Sequence, residues 1–417
     1  MTDWYRRKNL SALHTQLGVR SVYDSVCYCN RCGLCAHVCP AYVQTLQEPF
    51  SPRARNQAMR LILEGKIKPG RVQKQLAEML TSCSLCGRCT QNCPGAVPTA
   101  EHMLELGRRL KILRLPGTLL GLLRLRQTSP RMFRFLVKTG LVLRKTGLLH
   151  LMALPEDFAW LRYALKILPK KIPARATIQT PKNPTLIYLP SLEAELLLPK
   201  LFTKTYQMAA KKHSPVVWEN TPSGLAEYVY GDVRRARQLV SSLIRRHAKL
   251  KKGKLPLLTD SLEVYYFLHQ APQLFEGYPA MQKKACRFAE KLRFVTDLFP
   301  KRLKRTDAFW GPVQLCFTGA FCGEDTPRQA VKQILHTLFK KNFVQCEYEE
   351  VSVAFPSYGF VKHTHAPTYM TKAVQAFSAH QTRTVFVSSG LAELELAFYL
   401  RKFYPTAQAC HIVQLNG

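Results

Sequence analysis

Eight cysteines in two matching runs constrain this chain more than anything else in it. The first run reads Cys29-x-x-Cys32-x-x-Cys35-x-x-x-Cys39-Pro40, and the second reads Cys83-x-x-Cys86-x-x-Cys89-x-x-x-Cys93-Pro94. This spacing is the bacterial-type signature for thiolate ligation of [4Fe–4S] clusters, in which the fourth cysteine of each run serves the other cluster. Three thiolates spaced in this way wrap one face of a cube, and the proline after the fourth turns that segment aside. With crossed ligation, one cluster takes Cys29, Cys32, Cys35 and Cys93. The other takes Cys83, Cys86, Cys89 and Cys39. Two [4Fe–4S] clusters are therefore the expected cofactors. With four thiolates each, neither has an open iron for substrate chemistry, so the local reading is an electron relay.

Other cysteine chemistries fit less well. A zinc site asks for four ligands on paired arms, often with histidine. A disulfide framework suits short secreted chains, whereas this one has 417 residues and opens on Met1-Thr2-Asp3-Trp4 without an apolar signal stretch. A cytoplasmic location is expected on those grounds. No apolar run of about 18 residues is present to span a bilayer.

The net charge of +34 calls for an anionic counterpart. No nucleic-acid module accompanies it, so a lipid surface or an acidic redox partner is expected instead. Basic residues concentrate between Arg108 and Lys171, where leucines alternate with Arg124, Arg126, Arg131, Arg134, Lys138, Arg144 and Lys145. Pro116, Gly117, Pro130, Gly140 and Gly147 should break this stretch into short amphipathic helices. Those helices either pack on the neighbouring domain or lie on anionic lipid.

The secondary-structure signals divide the rest. A helical lead-in is read over Trp4–Val26, with Cys27 as a buried thiol beside the first ligand. Ser51-Pro52-Arg53 opens a helix through Leu63 that Gly65 stops. A second helix runs from Pro69 to Leu80, and a third from Thr99 to Leu113. Lys170–Arg175 reads as a linker. Strand–helix alternation follows: Thr185–Leu189, a helix to about Lys212, Pro215–Trp218, a helix after Gly231-Asp232 through Arg246, then Leu255–Leu258. A similar series returns as Val313–Phe317, a helix from Pro327 to Lys340, Phe343–Glu347 and Val385–Val387. A helical stretch over Ala280–Phe299 joins the two.

The expected fold is thus α+β and multidomain. It comprises an α-helical dicluster ferredoxin domain (1–110), a basic helical linker (111–182) and two halves of a pseudo-duplicated α/β domain (183–279 and 280–417).

Twin cluster runs, the Ser51-Pro52-Arg53 helix, a basic linker and a duplicated α/β region resemble the CCG-domain, heterodisulfide-reductase-like iron–sulfur proteins. These include the iron–sulfur components of glycolate oxidase, of L-lactate utilisation and of the anaerobic glycerol-3-phosphate dehydrogenase. Judged on motif order, the resemblance extends over nearly the whole chain. It implies an electron-transfer subunit of a multi-subunit dehydrogenase rather than its catalytic subunit. A flavoprotein dehydrogenase subunit would oxidise a 2-hydroxy acid, and electrons would pass to a quinone, membrane or soluble acceptor. A membrane surface or a membrane-bound quinone-linked partner, at the inner face of the cytoplasmic membrane, would suit the basic helices. The alternatives are a catalytic heterodisulfide- or quinone-reductase-like subunit and a scaffold.

The departures from the family pattern matter. Where relatives carry cysteines, the first half has Pro190-Ser191, Pro222-Ser223 and Asp260-Ser261. The second half has Val353–Gly359 and Ser388-Ser389-Gly390, with Cys316 and Cys322 as a remnant pair. Serine is a poor ligand for soft iron–sulfur chemistry. Cys286, Cys316, Cys322, Cys346 and Cys410 are read as structural thiols, and His363 and His365 as loop residues.

Overall fold

The structure is a computed structural model that describes residues 22–83, 85–110, 117–145, 178, 181–229, 232–299, 312–316, 326–339, 366–388 and 390–415. It mixes helix and sheet: helical at the N-terminal end, then built on two parallel sheets. Most of the expected lead-in helix lies outside the described residues, which begin with α1 (Val22–Cys27).

The helical part forms where its end signals require. α2 (Pro40–Thr45) starts on the proline that closes the first cysteine run. α3 (Pro52–Leu63) is capped by Ser51, whose Oγ accepts from Ala54 N at 3.1 Å, an interaction worth about 1 kcal/mol. Gly65, at φ +73°, then reverses the chain. A 3-10 turn over Pro69–Val72 leads into α4 (Gln73–Thr81). α5 (Arg88–Gln91) lies within the second cysteine run, and α6 (Thr99–Arg109) closes the unit. Met59, Ile62, Leu80, Met103 and Leu106 are fully buried.

A polar chain threads this core. His102 Nε2 lies 2.8 Å from Ser25 Oγ and Nδ1 lies 2.8 Å from Asn56 Oδ1, while Asn56 Nδ2 donates to Thr99 Oγ1 at 2.8 Å. Burial holds the His102 pKa down at about 3, so the ring is neutral.

α7 (Gly117–Thr128) and α8 (Pro130–Lys145) follow. The break expected at Gly140 does not occur, because glycine keeps its N–H and costs a helix only about 1 kcal/mol. Pro130 does begin a helix, as its missing N–H allows. Gly147 and the linker at 170–175 lie outside the described residues.

The first sheet contains β1 (Leu186–Leu189), β2 (Pro215–Val217), β3 (Leu257–Thr259) and β4 (Leu292–Phe294), ordered β2-β1-β3-β4 and parallel throughout. β1 and β3 are buried at every position, as central parallel strands are. The single helix expected after β1 is two, α9 (Leu192–Leu196) and α10 (Pro199–Ala210), because Pro199 cannot continue a helix but can start one. Then come α11 (Leu225–Val229), α12 (Val233–Lys249), α13 (Leu262–His269), α14 (Ala271–Leu274) and α15 (Pro279–Ala289).

The joining helix expected through Phe299 stops at Ala289. Leu292 and Phe294 are buried while Arg293 between them is exposed, the two-residue period of a strand. β4 pairs with β3, so the first sheet continues past the boundary drawn at residue 280.

The second sheet is β5 (Val313–Cys316), β6 (Thr384–Val387) and β7 (Gln408–His411), again parallel and in that order. It carries α16 (Thr326–Phe339), α17 (Ala366–Ala379) and α18 (Gly390–Phe403). β7 was not expected, since Gln408-Ala409-Cys410-His411 offers no apolar run. The strand expected at Phe343–Glu347 lies outside the described residues.

Helical unit and sheet meet through α6. Arg108 donates to Tyr228 O at 2.8 Å, and its guanidinium sits 4.4 Å from the centre of the Tyr228 ring. Met103 and Leu106 share one apolar core with Ile187 and Val229. No helix among the described residues is long and apolar enough to cross a membrane.

Candidate metal centre

The two cysteine runs fold as copies of one loop. Cys29 N donates to Val26 O at 3.1 Å, and its counterpart Cys83 N donates to Leu80 O at 3.1 Å. Ala36 N reaches Gly33 O at 2.8 Å and Thr90 N reaches Gly87 O at 3.0 Å. Cys39 N and Cys93 N then reach Ala36 O and Thr90 O, at 3.1 and 3.2 Å. Arg31 and Leu85 hold left-handed backbone at φ 57° and 56°, while Gly33 and Gly87 sit at 87° and 74°. Only glycine takes the latter readily. Left-handed residues are a component of the backbone nests that bind anions.

The eight thiols sort into two cavities. Cys39, Cys83, Cys86 and Cys89 line one, with Arg55, Ser82 and Ala100. Cys29, Cys32, Cys35 and Cys93 line the other, with Arg53, Asn56 and Thr99, and Cys89 also reaches its wall. The runs are tied across each other: Asn92 Nδ2 donates to Leu34 O at 2.7 Å. Cys32 is exposed, whereas Cys39, Cys83 and Cys86 are buried.

Among the described residues, no three His, Cys, Asp or Glu side chains converge on a point as a single ion requires. A cubane needs something else, one thiolate per iron around a hollow. Burial pushes the Cys83 thiol up to about 11, partly offset by the Arg55 charge. Cys35 also rises to about 11, through burial and then the nearby Cys29. Thiols crowded like this stay protonated unless a cation compensates them, which iron does. The residues present therefore fit a cluster in each cavity.

Arg55 is the site residue that motif reading missed. Its side chain is buried, and Nη1 donates to Cys39 Sγ at 3.4 Å, Nη2 to Ser82 Oγ at 2.8 Å and Nε to Met79 O at 3.4 Å. Burial works against its charge, but Cys83 and Cys39 outweigh that and hold its pKa above the usual value. A signal existed. Arg55, Met59 and Ile62 fall at i, i+4 and i+7, so a cation stands in the apolar stripe of α3.

The remaining candidates scatter. Cys27 is half-buried rather than buried, Cys286 is exposed on α15, and Cys410 is buried in β7 with burial raising its thiol to about 12. The backbone of Cys316 lies in β5. Its side chain, Cys322, Cys346, Val353–Gly359, His363, His365 and Ser389 lie outside the described residues.

At the C-terminal ends of β1 and β2 lies a crevice lined by Leu189–Leu192, Thr221–Gly224, Glu227, Val264 and Arg126. This is the usual ligand position of an open parallel sheet. The serines that follow β1 and β3 serve the backbone. Ser191 Oγ caps α9 by accepting from Ala194 N at 3.2 Å, and Ser261 Oγ caps α13 by accepting from Val264 N at 3.3 Å. Buried Asp260 accepts from Tyr188 Oη at 2.5 Å and Ser191 N at 2.8 Å, locking β1 to β3.

Comparison with known proteins agrees with this geometry. Residues 25–97 match the 4Fe-4S dicluster domain family, so the chain carries a 4Fe–4S domain at its N-terminal end. Over 146 residues it is 34% identical to the glycolate oxidase iron-sulfur subunit of Escherichia coli (strain K12), covering 33% of this chain and 32% of that protein. It is 28% identical over 99 residues to a probable glycolate oxidase iron-sulfur subunit of Bacillus subtilis (strain 168), covering 24% and 22%. Lactate utilization protein B of Macrococcus caseolyticus is 29% identical over 93 residues, covering 20% and 17%. The resemblance to these iron–sulfur proteins is thus supported. The chain, however, spans a third or less of the length of these curated relatives, short of the near-complete reach that motif order implied. No solved structure matches significantly.

Proposed function

We propose that this chain is the electron-transfer subunit of a multi-subunit dehydrogenase. In this reading Cys29, Cys32, Cys35 and Cys93 hold one [4Fe–4S] cluster, and Cys83, Cys86, Cys89 and Cys39 hold the second. The crossing of the two runs carries the proposal: Cys39 lines the cavity of Cys83, Cys86 and Cys89, and Cys93 lines that of Cys29, Cys32 and Cys35. When bound, each cluster takes up and releases single electrons. The twin loops fix the sulfurs, and the helical unit around α3, α4 and α6 shields the inner cavity. The partner in this reading is a flavoprotein that oxidises a 2-hydroxy acid, as the names of the glycolate oxidase relatives suggest.

The α/β region is read as two degenerate halves with a docking role. The shared parallel order β1-β3-β4 and β5-β6-β7 supports this. So does the use of Ser191 and Ser261 as helix caps where the family resemblance implies cysteines. Anaerobically purified protein should contain about eight irons and be reduced at a catalytic rate by its flavoprotein; about twelve irons would favour a catalytic role instead. Ser191→Ala and Ser223→Ala should leave that reduction unchanged, Ser191→Ala costing only the cap, about 1 kcal/mol. A large loss of activity in either would show that the crevice retains chemistry.

α8 is the element of the basic segment suited to an anionic lipid surface. It contains no acidic residue. Phe133 is buried, but Met132, Phe135, Leu136 and Val142 are exposed along one face, and Arg131 and Lys138 are exposed on the same helix. The full chain should bind vesicles containing phosphatidylglycerol and not vesicles of phosphatidylcholine alone. Phe135→Glu should weaken that binding about tenfold or more, since burying one such side chain is worth about 1.5–3 kcal/mol. Unaltered vesicle binding would remove α8 from the contact.

A further inference from the structure

We infer that Arg55 raises the reduction potential of the cluster held by Cys39, Cys83, Cys86 and Cys89 and leaves the other cluster nearly untouched; this rests on the ligand sets proposed above. Reduction adds one electron to a cluster and neither makes nor breaks a bond. A fixed positive charge touching a ligand sulfur therefore favours the reduced state, most strongly where water is excluded.

Arg55 meets both conditions. It is 2% exposed, and its Nη1 donates to Cys39 Sγ at 3.4 Å. Among the described residues its other hydrogen bonds go to uncharged groups, Met79 O and Ser82 Oγ, which do not neutralise the charge. Arg53, two residues earlier, lies on the wall of the other cavity under opposite conditions. Its side chain is 38% exposed, and it is paired with Glu48 through Nε–Oε1 at 2.7 Å and Nη2–Oε2 at 2.9 Å. An exposed, neutralised charge is screened and has little effect on potential. Burial by itself disfavours the more negative state of the inner cluster, and Arg55 opposes that burial.

The test is an anaerobic potentiometric titration of the full chain with dithionite, followed by EPR, with iron counted on each sample. In Arg55→Gln, one couple should become at least about tenfold harder to reduce, a fall of about 59 mV for one electron, while the other stays put. Arg55→Lys keeps the charge and should leave both couples within about threefold of wild type. Unchanged couples in a fully loaded Arg55→Gln protein overturn the inference. Equal shifts in the Gln and Lys variants also do so, since hydrogen-bond geometry would then be responsible. If Arg55→Gln fails to load iron, Arg55→Lys decides: loading with near-native potentials supports the inference, and failure to load overturns it. A wild-type chain without cubane EPR signals would instead sink the ligand assignment.

Discussion

Cys93→Ser is expected to remove the same cluster as Cys35→Ser, and Cys39→Ser the same cluster as Cys83→Ser. Each variant should retain about four of about eight irons. Crossed ligation is the physical reason. Cys39 lies in the first run, yet it lines the cavity of Cys83, Cys86 and Cys89, while Cys93 of the second run lines that of Cys29, Cys32 and Cys35. A serine oxygen is too hard a donor to hold iron in such a cluster. EPR of the reduced variants reads the outcome, since the two cavities differ in burial and charge and should give distinct signals. If Cys39→Ser and Cys35→Ser abolish the same signal, ligation is local to each run. The effect should extend beyond the metal, because each cluster joins two segments at least 44 residues apart. Losing either should loosen α3 against α4 and α6, seen as faster amide exchange across residues 22–110.

Motif chemistry is local, and so it was legible. The cysteine spacing, the Ser51-Pro52 start of α3 and the apolar runs of β1 and β3 each declare themselves within a few residues. What the sequence hid depends on contacts made far along the chain. The place of Arg55 in the apolar stripe of α3 marks it as buried, but nothing local signals that its charge will lie against Cys39. β4 and β7 are edge strands of three and four residues, defined by pairing with β3 and β6 rather than by their own composition. Pro199 divides α9 from α10 at a point the apolar periodicity runs straight across. Serines at the strand ends could be recognised as lost ligands, but their new work as helix caps emerges only from the backbone around them.

Arg126→Met should destabilise the α/β region by about 3–5 kcal/mol without changing iron content. Arg126 Nη2 donates to Glu195 Oε2 at 3.2 Å, and the two side chains are 8% and 2% exposed. The carboxylate also accepts from Asn220 N at 3.1 and 3.0 Å. The pair therefore pins the basic segment, through α7, to α9 and to the loop after β2. Removing the guanidinium takes a full positive charge from beside a carboxylate that water cannot reach, which costs far more than the loss of an exposed ion pair. Adding Glu195→Gln removes the stranded charge but keeps an oxygen for Asn220 N, so the double variant should recover most of the loss. Thermal unfolding of the wild type, Arg126→Met and Arg126→Met/Glu195→Gln measures this, and a single variant as stable as the wild type would show that the pair is dispensable. Iron should stay at the wild-type level in all three, because Arg126 faces the sheet crevice rather than either thiol-lined cavity. Vesicle binding should weaken along with stability, since α8 follows α7 after a single residue and takes its placement from it.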